Sequence, residues 1–397
     1  MNPKTAAVAT ALLALSIQHV AAAQGTVTLY GIIDHGIAYV NRVASESTAP
    51  SASRVSAVAG FGSGNRFGLI GKEPLGGGLR AIFTLENGFN GFNGAALQGG
   101  KMFGRQAFVG LESDTFGTVT LGRQYDFNLE YLAPFLAWLQ FGSIYGAHIG
   151  DVDNTFASFR HNNMAKYQFT PLAGLKLGAF YSFSNQAAGP QGAGFANNRA
   201  YGMGATYKHG DWSAALTWLH LSNPSASSSS NGNPNGAVGD GYASATGLFY
   251  NLGFVQRQSV YGAALGYQMR KSRINFAVTH TRLAYDGGRD IRVVNYELNG
   301  RYSVTPALML GAAYIFTNAN GYTGVRATAI GSGNHPKWHQ VDLGATYSLS
   351  KRTDIHMSCI YQRAAGDAQA VALNVLGQGG AGATSQLALV TGLRHRF

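Results

Sequence analysis

Charge is scarce in this 397-residue chain: Asp, Glu, Lys and Arg make up 12% of it, about half the ~25% usual for soluble domains. There is one cysteine, Cys359, so no internal disulfide can form, although exported soluble proteins of this size often rely on them. Beyond the first two dozen residues no run of 18 apolar residues occurs, which excludes helical membrane spans. No shift in composition divides the chain, so the two or three soluble domains that its length would suggest have no boundary between them.

Glycine and aromatic residues are plentiful, with 54 glycines, 20 tyrosines and 22 phenylalanines, and the net charge is +11. The chain opens "MNPKTAAVATALLALSIQHVAAAQ". Lys4, the apolar stretch Ala6–Ile17 and the small residues Ala21–Ala23 follow one another in the order of a secretory leader cleaved after Ala23. The expected organisation is a leader at 1–23 and one domain at 24–397. An exported chain that is glycine-rich, aromatic-rich and weakly charged fits a membrane β-barrel, because lipid tolerates strands only where every edge is paired. A soluble β-sandwich or β-helix is the alternative, and it requires a dry core on one face of each strand.

The apolar residues fall two apart, as in strands. "VTLYGIIDHGIAYV" sets Val27, Leu29, Ile33, Ile37 and Tyr39 against Thr28, Tyr30 and Asp34. "GLRAIFTLE" sets Leu79, Ala81, Phe83 and Leu85 against Arg80, Thr84 and Glu86. In "NYELNGRY" Tyr296, Leu298 and Tyr302 oppose Asn295, Glu297, Asn299 and Arg301. The final "TGLRHRF" continues Leu387, Leu389, Leu393 and Phe397 on one parity, with Gln386, Arg394 and Arg396 on the other. Aromatic residues recur at strand ends on the apolar parity, as membrane-interface girdles do.

Short connections alternate with long ones. Seven tight turns are read at 73–78, 112–117, 170–174, 208–211, 269–272, 303–307 and 349–352, each with turn chemistry or a basic pair. Seven hairpins plus a first and a last strand predict an all-β, sixteen-stranded antiparallel transmembrane barrel, with short periplasmic turns and long external loops. One long segment, between Gln124 and Arg160, is too apolar for a solvated loop: it holds Leu132, Phe135, Leu136, Trp138, Phe141 and Ile144. A sixteen-stranded barrel encloses an aqueous channel, so this third loop is expected to fold inward onto the wall.

At this point the chain resembles the general porins of the Gram-negative outer membrane, of the sixteen-stranded trimeric kind found in β-proteobacteria. The resemblance spans residues 24–397 and rests on "VTLYGIIDHGI", "NRFGLIGKEPLGGGLRAIFTLENGF", "GRQAFVGLESDTFGTVTLGRQYD", "RHNNMAKYQFTP" and the terminal "GLRHRF". It implies a cell outer-membrane homotrimer, surrounded by lipid and lipopolysaccharide, that passes small anionic or neutral solutes by passive diffusion. It also implies delivery by periplasmic chaperones to the barrel-assembly machinery, with Phe397 as the assembly signal, and no cofactor, metal or nucleic acid.

Anion-selective members of that family carry a wall of arginines facing the constriction. The residues that match by local motif are Arg66, Arg105 and Arg160. Strand parity points Arg66 and Arg160 inward but would turn Arg105 outward, unless a bulge at Gly104 re-aims it. Lys166, Arg80, Glu86, Asp34, Arg394 and Arg396 are further inward-facing candidates. The third loop departs from the family pattern in having no Asp or Glu from Tyr131 to Gly150; its acids, Asp126, Glu130, Asp151 and Asp153, lie near its ends. Basic residues on the wall and a neutral loop tip predict a positive potential and anion preference.

Three rival readings remain at this level. Phe135, Trp138, Phe141 and Tyr145 are candidates for an aromatic slide in a substrate-specific channel, or for packing that fixes the loop. A barrel hydrolase needs a serine paired with His35, His280 or His395, and no such serine is identifiable. An adhesin barrel would be closed.

Overall fold

The computed structural model describes residues 25–43, 52–186, 194–225, 235–239, 242, 249–250, 253–321, 335–368, 370–373 and 383–397. The expected leader lies outside the described residues. The strands are β1 (Thr26–Val43), β2 (Ala52–Ala59), β3 (Arg66–Gly76), β4 (Leu79–Gly88), β5 (Gln106–Ser113) and β6 (Gly117–Gln124). They continue with β7 (His161–Leu172), β8 (Leu175–Ser182), β9 (Arg199–His209), β10 (Trp212–Ser222), β11 (Val255–Gln268) and β12 (Ser272–Tyr285). The last are β13 (Asp290–Ser303), β14 (Leu308–Asn320), β15 (Pro336–Ser348), β16 (Thr353–Gly366) and β17 (Ser385–Arg396).

From β3 on, each strand pairs antiparallel with its neighbour in sequence, and β1 closes the ring on β17 with Ile37 opposite Thr391. β2 and β3 both pair with β1, β2 along its external half and β3 along Thr26–Ile32, so they share one position. The barrel therefore has sixteen strands. All seven tight turns fall where their residues placed them. The external connection between β12 and β13 is short, a single turn at Asp286–Gly288, and breaks the expected alternation.

The period-two pattern sorts the side chains. Val27, Leu29, Ile37, Met203, Leu216, Leu298 and Met357 point outward and are exposed. Asp34, Glu86, Asn275, Glu297, Asn299 and Asp342 point inward and are buried. No soluble sandwich leaves its apolar face bare and buries its polar one. At the seam the Phe397 backbone and Gly31 exchange hydrogen bonds of 3.1 Å each way. The Phe397 ring covers Gly31 so closely that a Cβ there would lie 2.2 Å from it.

The sequence reading assigned no structure to β2 or to Gly60–Asn65, the interruption between β2 and β3. The chain leaves the wall there with φ of 70° at Gly60 and 68° at Gly64, a conformation in which a side chain is strained. The excursion drives Phe61 inward, where it stacks on His356 at 4.2 Å between ring centroids. Gly36 and Gly392 leave room for it: a Cβ on either would come within 2.5 Å of the ring.

Candidate functional site

The third loop leaves β6 at Tyr125 and returns at Arg160, through short helical turns at Asn128–Leu132, Ala133–Phe135, Trp138–Gly142, Ile144–Gly146 and Ile149–Asp151. It lies on the inner wall, and glycines on the inward parity make the seat. Phe127 fills the space over Gly178 and Gly204, Leu132 the space over Gly262, and Phe141 the space over Gly311 and Gly344. A Cβ at Gly311 would sit 2.3 Å from the Phe141 ring. Burying a large apolar side chain stabilises by roughly 1.5–3 kcal/mol, so these contacts hold the loop firmly.

Polar wall residues satisfy the loop backbone and its charges. Asn299 donates to the Phe135 carbonyl at 2.7 Å, Gln258 to that of Val152 at 2.7 Å, and Gln340 to that of Gly146 at 3.1 Å. The Ala137 N–H donates to Glu297 Oε1 at 2.6 Å. His148 bridges two carboxylates, with Nδ1 2.6 Å from Asp153 and Nε2 3.1 Å from Glu297 on β13. Burial alone would lower the His148 pKa, but Asp153 and Glu297 more than offset it and raise it to about 10. Burial likewise favours neutral Asp153, and the His148 cation overrides it, bringing Asp153 down to about 2. At the loop tip the Ile144 N–H donates to the Phe61 carbonyl at 2.6 Å, tying the loop to the excursion between β2 and β3.

The acids expected to act at a constriction are consumed by this anchoring. Asp126 accepts from Asn154 at 2.8 Å and from the Asn128 N–H at 2.9 Å, and lies 3.0 Å from His161. Asp151 accepts the Phe156 and Ser158 N–H groups, both at 2.9 Å. Asp126, Asp151 and Asp153 are all buried, and Glu130 pairs with Lys166 at 2.6 Å. The aromatic residues Phe135, Trp138, Phe141 and Tyr145 are buried as well, at 8% exposure or less. They pack the loop and do not line a water path.

The helical turns of the loop pack against β9 to β12 and β14 to β16, and a second group of charged residues gathers between β3 and β7. There Arg66 opens β3, Glu86 lies on β4, Arg105 precedes β5 and Arg160 precedes β7. Their hub is the Tyr125 ring, 5.9 Å from the Arg105 guanidinium and 5.4 Å from that of Arg160. Glu86 accepts from Arg105 at 2.7 Å and from the Tyr30 hydroxyl at 2.8 Å. Arg66 donates to the Gly64 carbonyl at 3.1 Å and ends beside Arg105 over Gly64. Strand parity misplaced Arg105: it stands one residue before β5, in non-strand backbone, and points inward without needing a bulge at Gly104.

Three of the further inward-facing candidates, Lys166, Asp34 and Glu86, are buried and do not face the open pore. Lys166 is roofed by the third loop through Glu130 and the Tyr125 carbonyl. Asp34 is buried under the Phe61 turn, 3.0 Å from His356 and accepting the Gly62 N–H at 2.8 Å. Glu86 is 3% exposed beneath Arg105. Arg80 joins Glu112 and Asp114 near the short-turn end. Arg394 and Arg396 both meet Asp354, and Arg394 also donates to Ser63 at 2.6 Å. The sequence reading did not single out Arg273, on the inward parity of Asn275 and 5.3 Å from the Phe135 ring, or Arg301, placed opposite it, as candidates. Parity alone was enough to find both.

A closed sixteen-stranded barrel with an apolar exterior, a polar interior and an inward loop is an outer-membrane channel. The chain belongs to the Gram-negative porin family, whose sequence profile matches residues 6–367. It is 31% identical to an outer membrane porin protein of Bordetella pertussis, over 99% of this chain and all of that one. It is 29% identical to outer membrane porin protein 32 of Delftia acidovorans, over 98% of both. Its fold matches that of the anion-selective porin from Comamonas acidovorans with a TM-score of 0.72 and 24% identity, covering 94% of this chain and all of that one. It also matches the trimer form of OmpT from Vibrio cholerae, with a TM-score of 0.62, 14% identity and coverage of 94% and 99%.

Proposed function

We propose that this porin is a general diffusion channel that prefers small anions, and that the selecting element is the basic wall of Arg66, Arg105 and Arg160. One observation carries the reading. Three guanidinium groups share one carboxylate, Glu86, while Asp126, Asp151 and Asp153 are each buried in bonds within the loop or to the wall behind it. Arginine keeps its charge at any accessible pH, so this cluster carries a net positive charge. Arg273 and Arg301 add positive charge on β12 and β13, in another sector of the wall. The Comamonas protein of like fold is anion-selective, in keeping with this assignment.

An aromatic-lined, substrate-specific channel is disfavoured because the four candidate rings are packed against the wall. We read the assembly as a homotrimer, the form in which the Vibrio protein has been solved. We read Phe397 as the signal that periplasmic chaperones and the barrel-assembly machinery recognise. The test is the reversal potential of the purified protein in a planar bilayer under a KCl gradient. The expected sign is chloride preference. A potassium-selective potential would remove the basic wall as the controlling element, and absence of conductance would remove diffusion itself.

A further inference from the structure

Gly60–Asn65 is an insertion in what would otherwise be one strand. β2 ends with Ala59 opposite His35, and β3 begins with Arg66 opposite Ile32. Two residues of β1, Ile33 and Asp34, thus face six residues of the partner, four more than a continuous ladder would hold. The backbone groups this leaves on β1 are taken up from within the insertion. The Asp34 N–H donates to the Asn65 side-chain carbonyl at 2.6 Å, and the Gly60 N–H donates to the Asp34 carbonyl at 2.5 Å. The Asp34 carboxylate accepts the Gly62 N–H at 2.8 Å. Buried backbone groups that keep their partners in this way mark a formed element, not a frayed one.

The extra residues reach two parts of the channel. On one side Phe61 is fully buried in an apolar cluster with Tyr145, and Ile144 packs against the same cluster. The bond from the Ile144 N–H to the Phe61 carbonyl lies beside that packing. The tip of the third loop therefore meets the insertion through both backbone and side chains. On the other side Ser63 and Gly64 hold guanidinium groups. Ser63 Oγ accepts from Arg394 at 2.6 Å, and the Gly64 carbonyl accepts from Arg66 at 3.1 Å. Arg66 forms no salt bridge among the described residues, so this carbonyl fixes where its charge lies. Arg105 is pressed against the same turn: a Cβ on Gly64 would lie 3.2 Å from one of its terminal nitrogens.

We propose that Gly60–Asn65 is the positioning element of the channel: Phe61 holds the tip of the third loop, while Ser63 and Gly64 hold the guanidinium groups of Arg394 and Arg66. The width of the channel and the charge along it are thereby set by one insertion in the wall. The two are linked physically, because the effect of a fixed charge on a passing ion falls with distance and is screened over ~10 Å in 0.1 M salt. An ion kept near Arg66 and Arg394 by a clamped loop is sorted by sign more strongly than one that passes farther off. The role toward the arginines rests on the anion preference proposed above, and the role toward the loop rests on the contacts alone.

The test is excision of Phe61–Gly64, which leaves Gly60 opposite Asp34 and Asn65 opposite Ile33 and restores a continuous ladder. Position 65 then takes the outward parity of Ile33, so Asn65→Val accompanies the deletion. The full-length protein and its variants are compared in planar bilayers by two readings, the largest polyethylene glycol that enters the channel and the reversal potential under a KCl gradient. The polymer limit reports width and is blind to charge. The deletion is expected to admit larger polymers and to move the potential toward zero. Ser63→Ala is expected to move the potential by less and to leave the polymer limit unchanged, a split that loss of stability would not produce. Phe61→Ala, which keeps the length of the chain, is expected to admit larger polymers, and it decides the clamp should the deletion protein fail to insert. An unchanged polymer limit in Phe61→Ala would overturn the clamp. An unchanged potential in Ser63→Ala and in the deletion, with chloride preference in the unaltered protein, would overturn the hold on the arginines. An unaltered protein without chloride preference would overturn the anion reading alone, because the polymer limit still decides the clamp.

Discussion

Substituting Glu86 by glutamine is expected to sharpen anion preference, and substituting Arg160 by glutamine to weaken it. Glu86 is the carboxylate within the cluster of Arg66, Arg105 and Arg160, so its loss adds one unit of positive charge to that cluster. A permeant ion passing about 5 Å from a unit charge gains or loses about 0.8 kcal/mol in a fully watery medium, and about 3 kcal/mol at an effective dielectric near 20. Selectivity counts this twice, because the anion is favoured by as much as the cation is disfavoured. Even the watery limit of about 1.6 kcal/mol changes the permeability ratio about tenfold. Screening in 0.1 M salt acts over ~10 Å and leaves most of this intact at such a separation.

The assay is the reversal potential under a tenfold KCl gradient, where complete selectivity for one monovalent ion corresponds to about 59 mV. Glu86→Gln is expected to move the potential toward the anion limit and Arg160→Gln away from it. Arg105→Gln is expected to do the same as Arg160→Gln and also to lower thermal stability. It leaves Glu86, 3% exposed, without the guanidinium that binds it at 2.7 Å, and breaking a buried pair costs roughly 3–5 kcal/mol. If Glu86→Gln leaves the potential unchanged or shifts it toward potassium, the ion path does not run past this cluster and the reasoning fails.

Gly311→Val should press on the Phe141 ring and loosen the third loop, costing roughly 1–3 kcal/mol; a lower melting temperature with larger, noisier single-channel conductance is the expected record. The His148 anchor should depend on pH. A raised histidine pKa contributes stability that is complete below about 6.5, its unfolded value, and is lost as pH rises through about 10. The lowered Asp153 pKa contributes above its ordinary 3.8 and is lost only as pH falls through about 2. Proteolysis of the loop should therefore be slowest from about pH 4 to 6.5 and accelerate toward pH 10, and His148→Gln should remove that rise; a wild-type rate independent of pH would refute the anchor. Gly31→Leu should lower the yield of membrane-inserted barrel as much as Phe397→Ala, because both remove the ring from its seat on β1; full yield in Gly31→Leu would show that the seat is dispensable.

What was legible in the sequence was local. Tight turns announce themselves within four to six residues, and alternation announces a strand within eight, so the sixteen-strand barrel and its inward and outward faces could be read before any coordinate. Arg105 escaped because parity is a property of strand backbone, and its strand begins one residue later. Asp34 and Lys166 were given the right face but the wrong solvent: what covers them, the Phe61 turn and Glu130, comes from other segments. The excursion at Gly60–Asn65 escaped for the same reason, since His356 and Gly392, which receive Phe61, come 295 and 331 residues later in the chain.

The glycines make the point most sharply. Gly178, Gly204 and Gly344 share a parity with Lys176, Thr206, Asp342 and Thr346 and look like further members of a wet face. In the fold these three, with Gly262 and Gly311, are each left bare so that Phe127, Leu132 or Phe141 can fill the space. A glycine carries no sign of what will occupy its missing side chain. The loop carries one, because a long connection rich in leucine and aromatic residues needs an apolar or side-chain-free surface to meet. Setting the excess of apolar residues in the loop against the excess of inward glycines in β8, β9, β11, β14 and β15 is the inference the sequence permitted. It places the loop against those strands.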